Sequence, residues 1–327
     1  MTANPRLLQN SHDDGSSAAL KLLLTAICTW EVLYHVVRYL VKLCLRVSPQ
    51  WLLDDSLLIG SAKNITAHDK QTNGFSNGNQ VPLNGSPNGC HERAALLEAK
   101  QNLSQRGASY AVSLIHAFYA SCRGVLHLYN LRNVSNLDKL LIPSTHAVHG
   151  IITPRWAHLQ VATTNTVFLS YLLYDLVHIL IQYPKLGGAD TILHHILFAT
   201  CSVINGTYGI LAFPFGWLVV GELSTIFLNL RWFLLKSGRD KSLLLERANM
   251  SFAASFFLTR NVVYTLGMVH LFYVSWKELS MLSEVSGVPV GWLLLTVGCI
   301  FLGWGLNVVW GYKILKMVRK KNGNKKK

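Results

Sequence analysis

The chain has 327 residues, half of them hydrophobic, with a mean hydropathy of +0.29 and only 14% charged residues. A soluble domain of this size carries about 25% charged residues, so the balance argues against an ordinary soluble enzyme and for an integral membrane protein. The formal net charge of +14 is concentrated in short loops and at the C-terminus, which reads as membrane topology and not as a nucleic-acid surface.

A bilayer-spanning helix takes roughly 20 mostly apolar residues. Seven stretches qualify, at about 18–45, 108–129, 158–182, 190–212, 215–236, 248–275 and 289–315. The predicted fold class is therefore an all-α membrane protein of about seven transmembrane helices. The first run is longer than a signal-peptide core and reads as an uncleaved span. Glu31, His35, Arg38 and Lys42 interrupt it, so an amphipathic helix lying in the interface is the competing reading. Residues 60–92 are rich in Asn, Gly, Ser and Pro and predict a disordered loop, followed by a short helix over "ERAALLEAK". This divides the chain into an N-terminal segment with the first span (1–59), a cytosolic loop and short helix (60–107), the main membrane domain (108–317) and a basic tail (318–327).

Polar residues recur inside the spans at helical spacing, which puts them on shared faces. The second span carries Ser109, Ser113, His116, Arg123 and His127; the third, Tyr171, Asp175, His178 and Gln182. The fourth carries Asp190, His194, Cys201 and Asn205, with His195 beside His194; the fifth, Glu222, Thr225 and Asn229; the sixth, Arg260 and Tyr264. A charged side chain at membrane depth costs at least about 2.5–3.5 kcal/mol, so such residues face the bundle interior or a water-filled cavity. The stripes predict one shared polar interior. Arg260 is expected to pair with Asp175 or Glu222, and Asp190 to orient His194 one turn on.

Lysines and arginines favour segments 46–107, 183–189, 237–247 and the tail, which predicts a cytosolic C-terminus. The six cysteines have no CxxC spacing. His146-x-x-His149 and the one His-His pair fall short of a di-iron histidine set, so neither a metal nor another cofactor is expected. No GxSxG elbow, Walker motif or GxGxxG turn is present, so hydrolase and nucleotide chemistry have no support.

Five segments in series carry a resemblance: "SLIHAFYASCRG" at 113–124, "YLLYDLVHILI" at 171–181, "GADTILHHILFATCSVI" at 188–204, "GELSTIFLNLRWF" at 221–233 and "FFLTRNVVYTLG" at 256–267. In order and spacing they resemble the TLC domain, the module shared by translocating-chain-associating membrane proteins, ceramide synthases and the ceroid-lipofuscinosis membrane protein. The "ELSTIFLNLRWF" portion looks like the type-4 kind of TLC domain-containing protein.

The resemblance covers about 108–317 and implies six helices around a narrow cavity in the endoplasmic reticulum or a related membrane. It implies work in lipid homeostasis through binding, sensing or trafficking. By resemblance to ceramide synthases, His194, His195 and Asp190 are the catalytic candidates, with His194 carrying or activating an acyl group from acyl-CoA as co-substrate. His116, Asp175, His178, Glu222, Thr225, Asn229, Arg260 and Tyr264 are the cavity and lipid-binding candidates.

One departure bears on this. Where those synthases have HDxxD, this chain has Gly221, Glu222 and Thr225, so two ionisable groups are lost. The first expectation is thus a lipid-binding protein. An N-acyltransferase of the ceramide synthase type is the alternative, and a transporter or translocation accessory the second. The expected partners are membrane lipids, a sphingoid base or fatty acyl chain among them. No nucleic acid is expected, and a homo- or hetero-oligomer is compatible.

Overall fold

The computed structural model describes residues 5–47, 87–141, 155–239, 242–274 and 276–324. The chain runs through α1 (Pro5–Val47), α2 (Pro87–Leu131), α3 (Asn136–Leu140), α4 (Arg155–Ile181), α5 (Ala189–Tyr208), α6 (Ala212–Val220) and α7 (Leu223–Lys236). It continues through α8 (Leu243–Phe256), a π-helical stretch (Phe257–Val263), α9 (Tyr264–Val269), a second π stretch (His270–Val274), α10 (Trp276–Ser286) and α11 (Val290–Asn324).

Among the described residues, five segments are long and apolar enough to cross a membrane: Ser17–Arg46, Gln160–Ile181, Ala212–Lys236, Leu243–Tyr273 and Val290–Met317. The first lies within α1, which by length and composition meets the requirement for a span. The two other expected spans are helices too, in α2 and α5, but their polar stripes lower the mean apolarity.

Two boundaries differ from expectation. The short helix over "ERAALLEAK" is not separate: α2 runs unbroken through it into the second span. Residues 93–106 contain no proline or glycine and are rich in strong helix formers, so nothing stops the helix. Helix at Pro87 also shortens the predicted disordered loop, whose remainder, 60–86, lies outside the described residues, as do His146 and His149. The fifth span is broken at Gly221–Glu222, between α6 and α7.

Six units close a ring through their contacts. α2 lies against α6 and α7, α7 against α8, the first π stretch against α11, α11 against α5, α5 against α4, and α4 back against α2. α1 stands outside the ring, against α2 and α4. Its indole at Trp30 donates to Ser170 Oγ at 3.0 Å, and Glu31 ties it to α4 through His178 Nε2 at 3.1 Å while also holding His35 at 3.1 Å.

One end of the ring is sealed by apolar side chains. Leu140, Leu211, Leu271 and Leu282 are fully buried there, and the Leu211 N–H donates to the Leu140 carbonyl at 2.6 Å. The tight α5–α6 connection needs this support, because Leu211 sits at φ 59, a left-handed conformation that disfavours β-branched and bulky side chains.

α2 and α6 approach closely because they meet at glycine. A Cβ added at Gly124 would lie 2.8 Å from the Val220 nitrogen and 2.9 Å from the Gly216 carbonyl oxygen. Both are backbone atoms that cannot swing aside, and small residues at membrane helix crossings serve this purpose. Gly124→Ala is expected to push the helices apart and destabilise the fold by about 1–3 kcal/mol. Thermal unfolding of the detergent-solubilised protein, followed by size-exclusion chromatography, measures it; an unchanged midpoint would show that the crossing can relax.

Candidate functional site

Inside the ring lies a cavity of about 720 Å³. Its mouth is flanked by Leu186 in the α4–α5 turn, Arg231 near the end of α7, Asn249 early in α8 and Lys313 on α11. These positions are at the end of the bundle that carries the 183–189 and 237–247 loops, the basic side by sequence. The sealed end is opposite.

The deep polar residues come from different helices. In the first π stretch, the widened turn directs Arg260 across to the break between α6 and α7; π stretches of this kind occur often at functional sites. The guanidinium Nε donates to the Gly221 carbonyl at 3.1 Å and to Ser224 Oγ at 3.0 Å. Nη2 donates to Glu222 Oε1 at 3.0 Å and to Thr225 Oγ1 at 3.2 Å. Of its two expected partners, Arg260 therefore takes Glu222. Gly221 belongs to this seat: a Cβ there would lie 2.9 Å from the Leu218 oxygen and 3.5 Å from Arg260 Cγ.

Asp175 goes to a histidine instead. His195 Nε2 lies 3.0 Å from Asp175 Oδ2, and its Nδ1 lies 2.9 Å from the Thr191 carbonyl oxygen. Both ring nitrogens face oxygen acceptors, so ring and carboxylate together hold two protons and the pair is electrically neutral. Arg260–Glu222 is the second neutral pair. Beside them, His116 stacks on Tyr171 with ring centroids 3.6 Å apart, and Asn229 Nδ2 donates to Ser113 Oγ at 3.0 Å.

The structure corrects the expected role of Asp190. This residue does not hold His194. Its Oδ2 accepts from the Trp310 indole at 2.9 Å and lies 3.5 Å from Lys313 Nζ, while Oδ1 accepts from the Thr191 N–H at 3.1 Å. The cause is its place in the first turn of α5: the N-cap is Gly188, which has no side chain to cap the helix, so the Asp190 carboxylate turns to the local backbone and to α11. The carboxylate-held histidine is His195. His194 contacts Phe198 and Trp310 with ring centroids 4.5 and 5.5 Å apart.

His116, Asp175, Asp190, His194, His195, Glu222, Thr225, Asn229 and Arg260 all line the cavity. His178 and Tyr264 are not among its lining residues. His178 turns outward to Glu31, and the Tyr264 hydroxyl donates to the Ile300 carbonyl at 2.7 Å. Trp310, Lys313 and Arg231 line it without having been singled out from sequence. The signal for the first two was the i, i+3 spacing of Trp310 and Lys313 on the last span, which an aromatic-belt reading of tryptophans passes over. Among the described residues, no group of three or more His, Cys, Asp or Glu side chains is arranged to hold a metal ion.

Comparison with known proteins covers the same part of the chain. The sequence profile of the TLC domain matches residues 107–316. TLC domain-containing protein 4-B of Danio rerio is 30% identical over 167 residues, half of this chain and 61% of that protein. TLC domain-containing protein 4 of Xenopus tropicalis is 28% identical over 166 residues, and the match spans 60% of its length. TLC domain-containing protein 4-B of Xenopus laevis is 28% identical over 223 residues, 67% of this chain and 76% of the relative. No solved structure matches the chain. With six helices closed around a polar cavity and the domain profile matched over most of its length, this integral membrane protein belongs to the TLC domain family.

Proposed function

We infer that the chain holds a membrane lipid in the ring cavity, polar end inward, and acts in lipid homeostasis by binding, sensing or trafficking that lipid. The carrying observation is the charge balance of the deep end. A cavity of about 720 Å³ falls within the roughly 300–1,000 Å³ of small-molecule sites. Its buried charges are already mutually paired, Arg260 with Glu222 and His195 with Asp175. Among the described residues, no uncompensated charge is left at the deep end for a carboxylate or phosphate, so the reading favours a lipid whose inserted end is uncharged. Membership in the TLC family supports the lipid assignment, and the basic side of the bundle supports a cytosolic mouth and C-terminus. The endoplasmic reticulum is the membrane we propose.

The second reading is N-acyl transfer from acyl-CoA to a long-chain amine. One observation favours it: a carboxylate-held histidine, His195, adjoins His194 in the same cavity, the arrangement that general-base chemistry uses.

Purification into lipid nanodiscs followed by mass spectrometry tests the first reading. A stoichiometric uncharged lipid is expected, and recovery of detergent or bulk bilayer lipid alone would overturn it. Asp175→Leu leaves His195 Nε2 without its partner, at about 1–3 kcal/mol, and is expected to lower lipid occupancy. In Asp175→Asn the new amide donates to His195 Nε2, so the fold is expected to persist. Turnover of acyl-CoA that persists in His195→Ala would exclude the second reading as drawn.

A further inference from the structure

Behind His194 lies a second, much smaller enclosed space, of about 10 Å³. Phe168, Phe198 and Leu218 form its apolar wall. Its polar edge is formed by His194, Glu222, Arg260 and Asn307. Two buried polar atoms at this edge have no hydrogen-bond partner within the protein: His194 Nδ1 and Asn307 Oδ1. Asn307 belongs to α11 and is 1% exposed, at membrane depth, where bulk water is not at hand to relieve an unpaired amide oxygen. Buried polar atoms are satisfied in native proteins, by protein or by ordered water. A space of this size, edged by two to four polar groups, is what a single buried water occupies.

We propose that this space binds one ordered water that joins Asn307 Oδ1 to His194 Nδ1. In the arrangement proposed, Glu222 and not Arg260 takes the water's second hydrogen, and that choice sets the imidazole. Asn307 Oδ1 accepts one hydrogen of the water, and the Glu222 carboxylate, which edges the same space, accepts the other. With both hydrogens committed, the water can only accept from the ring, so His194 carries its proton on Nδ1. Nε2 keeps its lone pair. The same ring lines the large cavity, so the atom it offers there is an acceptor.

Asn307 is thereby a positioning residue, acting on His194 through the water. For the lipid, on which this last step rests, the consequence is a chemical class. The group that meets His194 donates a hydrogen bond, as a hydroxyl or an amide N–H does and an ester does not. The occupant is an uncharged lipid with a free hydroxyl or amide.

Nitrogen NMR of histidine-labelled protein in nanodiscs tests the tautomer, with His194→Gln assigning the resonance. A protonated signal at Nδ1 and an unprotonated one at Nε2 are expected. Asn307→Leu, which removes the acceptor, is expected to abolish that preference; Asn307→Asp, which keeps an oxygen in place, is expected to retain it. A proton on Nε2 in the unaltered protein overturns the water site, and needs no variant to fold. So does an Nδ1 proton that persists in Asn307→Leu. Mass spectrometry of the bound lipid is a separate arm. Hydroxyl- or amide-bearing lipids support the class, and lipids with esters alone overturn it while the tautomer stands. Absence of any bound lipid would defeat the lipid reading and leave the water site intact.

Discussion

Arg260→Leu is expected to lower the thermal stability of the protein in mild detergent sharply. The variant removes four hydrogen bonds at one stroke, to Gly221, Ser224, Glu222 and Thr225. Most of the loss is not the bonds. Glu222 would keep its carboxylate inside the bundle with its only ion-pair partner among the described residues gone. Removing one member of a buried pair costs about 3–5 kcal/mol, because an uncompensated charge is left behind. Against a net stability of about 5–15 kcal/mol this is a large fraction. A fall in the thermal midpoint of roughly 4–7 °C is expected, scaling from the size of the chain.

The double variant Arg260→Met with Glu222→Gln separates charge from shape. It removes both charges, and Ser224 Oγ keeps its own bond to the Gly221 carbonyl at 3.0 Å. Most of the stability is expected to return. If the single variant melts where the unaltered protein does, the pair is not in a low-dielectric interior and the cavity is wetter than drawn here.

Trp30→Ala is expected to loosen α1 from the ring. Trp30 is 9% exposed and meets both His116 and Tyr171 edge-on, with centroids 5.8 and 5.5 Å apart. It is the back wall of the His116–Tyr171 stack, and that stack faces the cavity. Truncating a buried tryptophan to alanine costs about 3–5 kcal/mol. Trp30→Phe keeps a ring against the stack and loses only the bond to Ser170, a loss of about 0.6 kcal/mol for a typical hydrogen bond between membrane helices. The two variants should therefore differ several-fold in their effect on the melting midpoint, and lipid occupancy should fall only in Trp30→Ala. Equal effects would mean that the indole N–H, and not the bulk, secures α1.

The sequence made the polar interior legible because charge inside a membrane has few alternatives. Asp175, Glu222 and Arg260 could only turn inward, and two candidate carboxylates for one guanidinium left a short choice. What it hid were departures from an ideal helical wheel. Arg260 and Tyr264 share a face at four-residue spacing, yet one reaches the cavity and the other the Ile300 carbonyl, because the π stretch that begins at Phe257 shifts the register between them. Asp175 and His178 are three apart on α4, and the face is wide enough for one to look into the ring and the other out to Glu31. Helical spacing pairs Asp190 with His194 one turn on, whereas its partners, Trp310 and Lys313, lie about 120 residues later. No local pattern announces a pairing of that range.

The mutual pairing inside the cavity also bears on how the protein responds to the membrane potential. A lone charge that crossed the whole bilayer would feel about 2.3 kcal/mol for every 100 mV. Arg260 with Glu222 and His195 with Asp175 each sum to zero over about 3 Å. An uncharged lipid entering or leaving moves no charge through the field. Occupancy should therefore be the same in polarised and depolarised membranes, which sets this cavity apart from voltage-coupled pathways that use the same residue types.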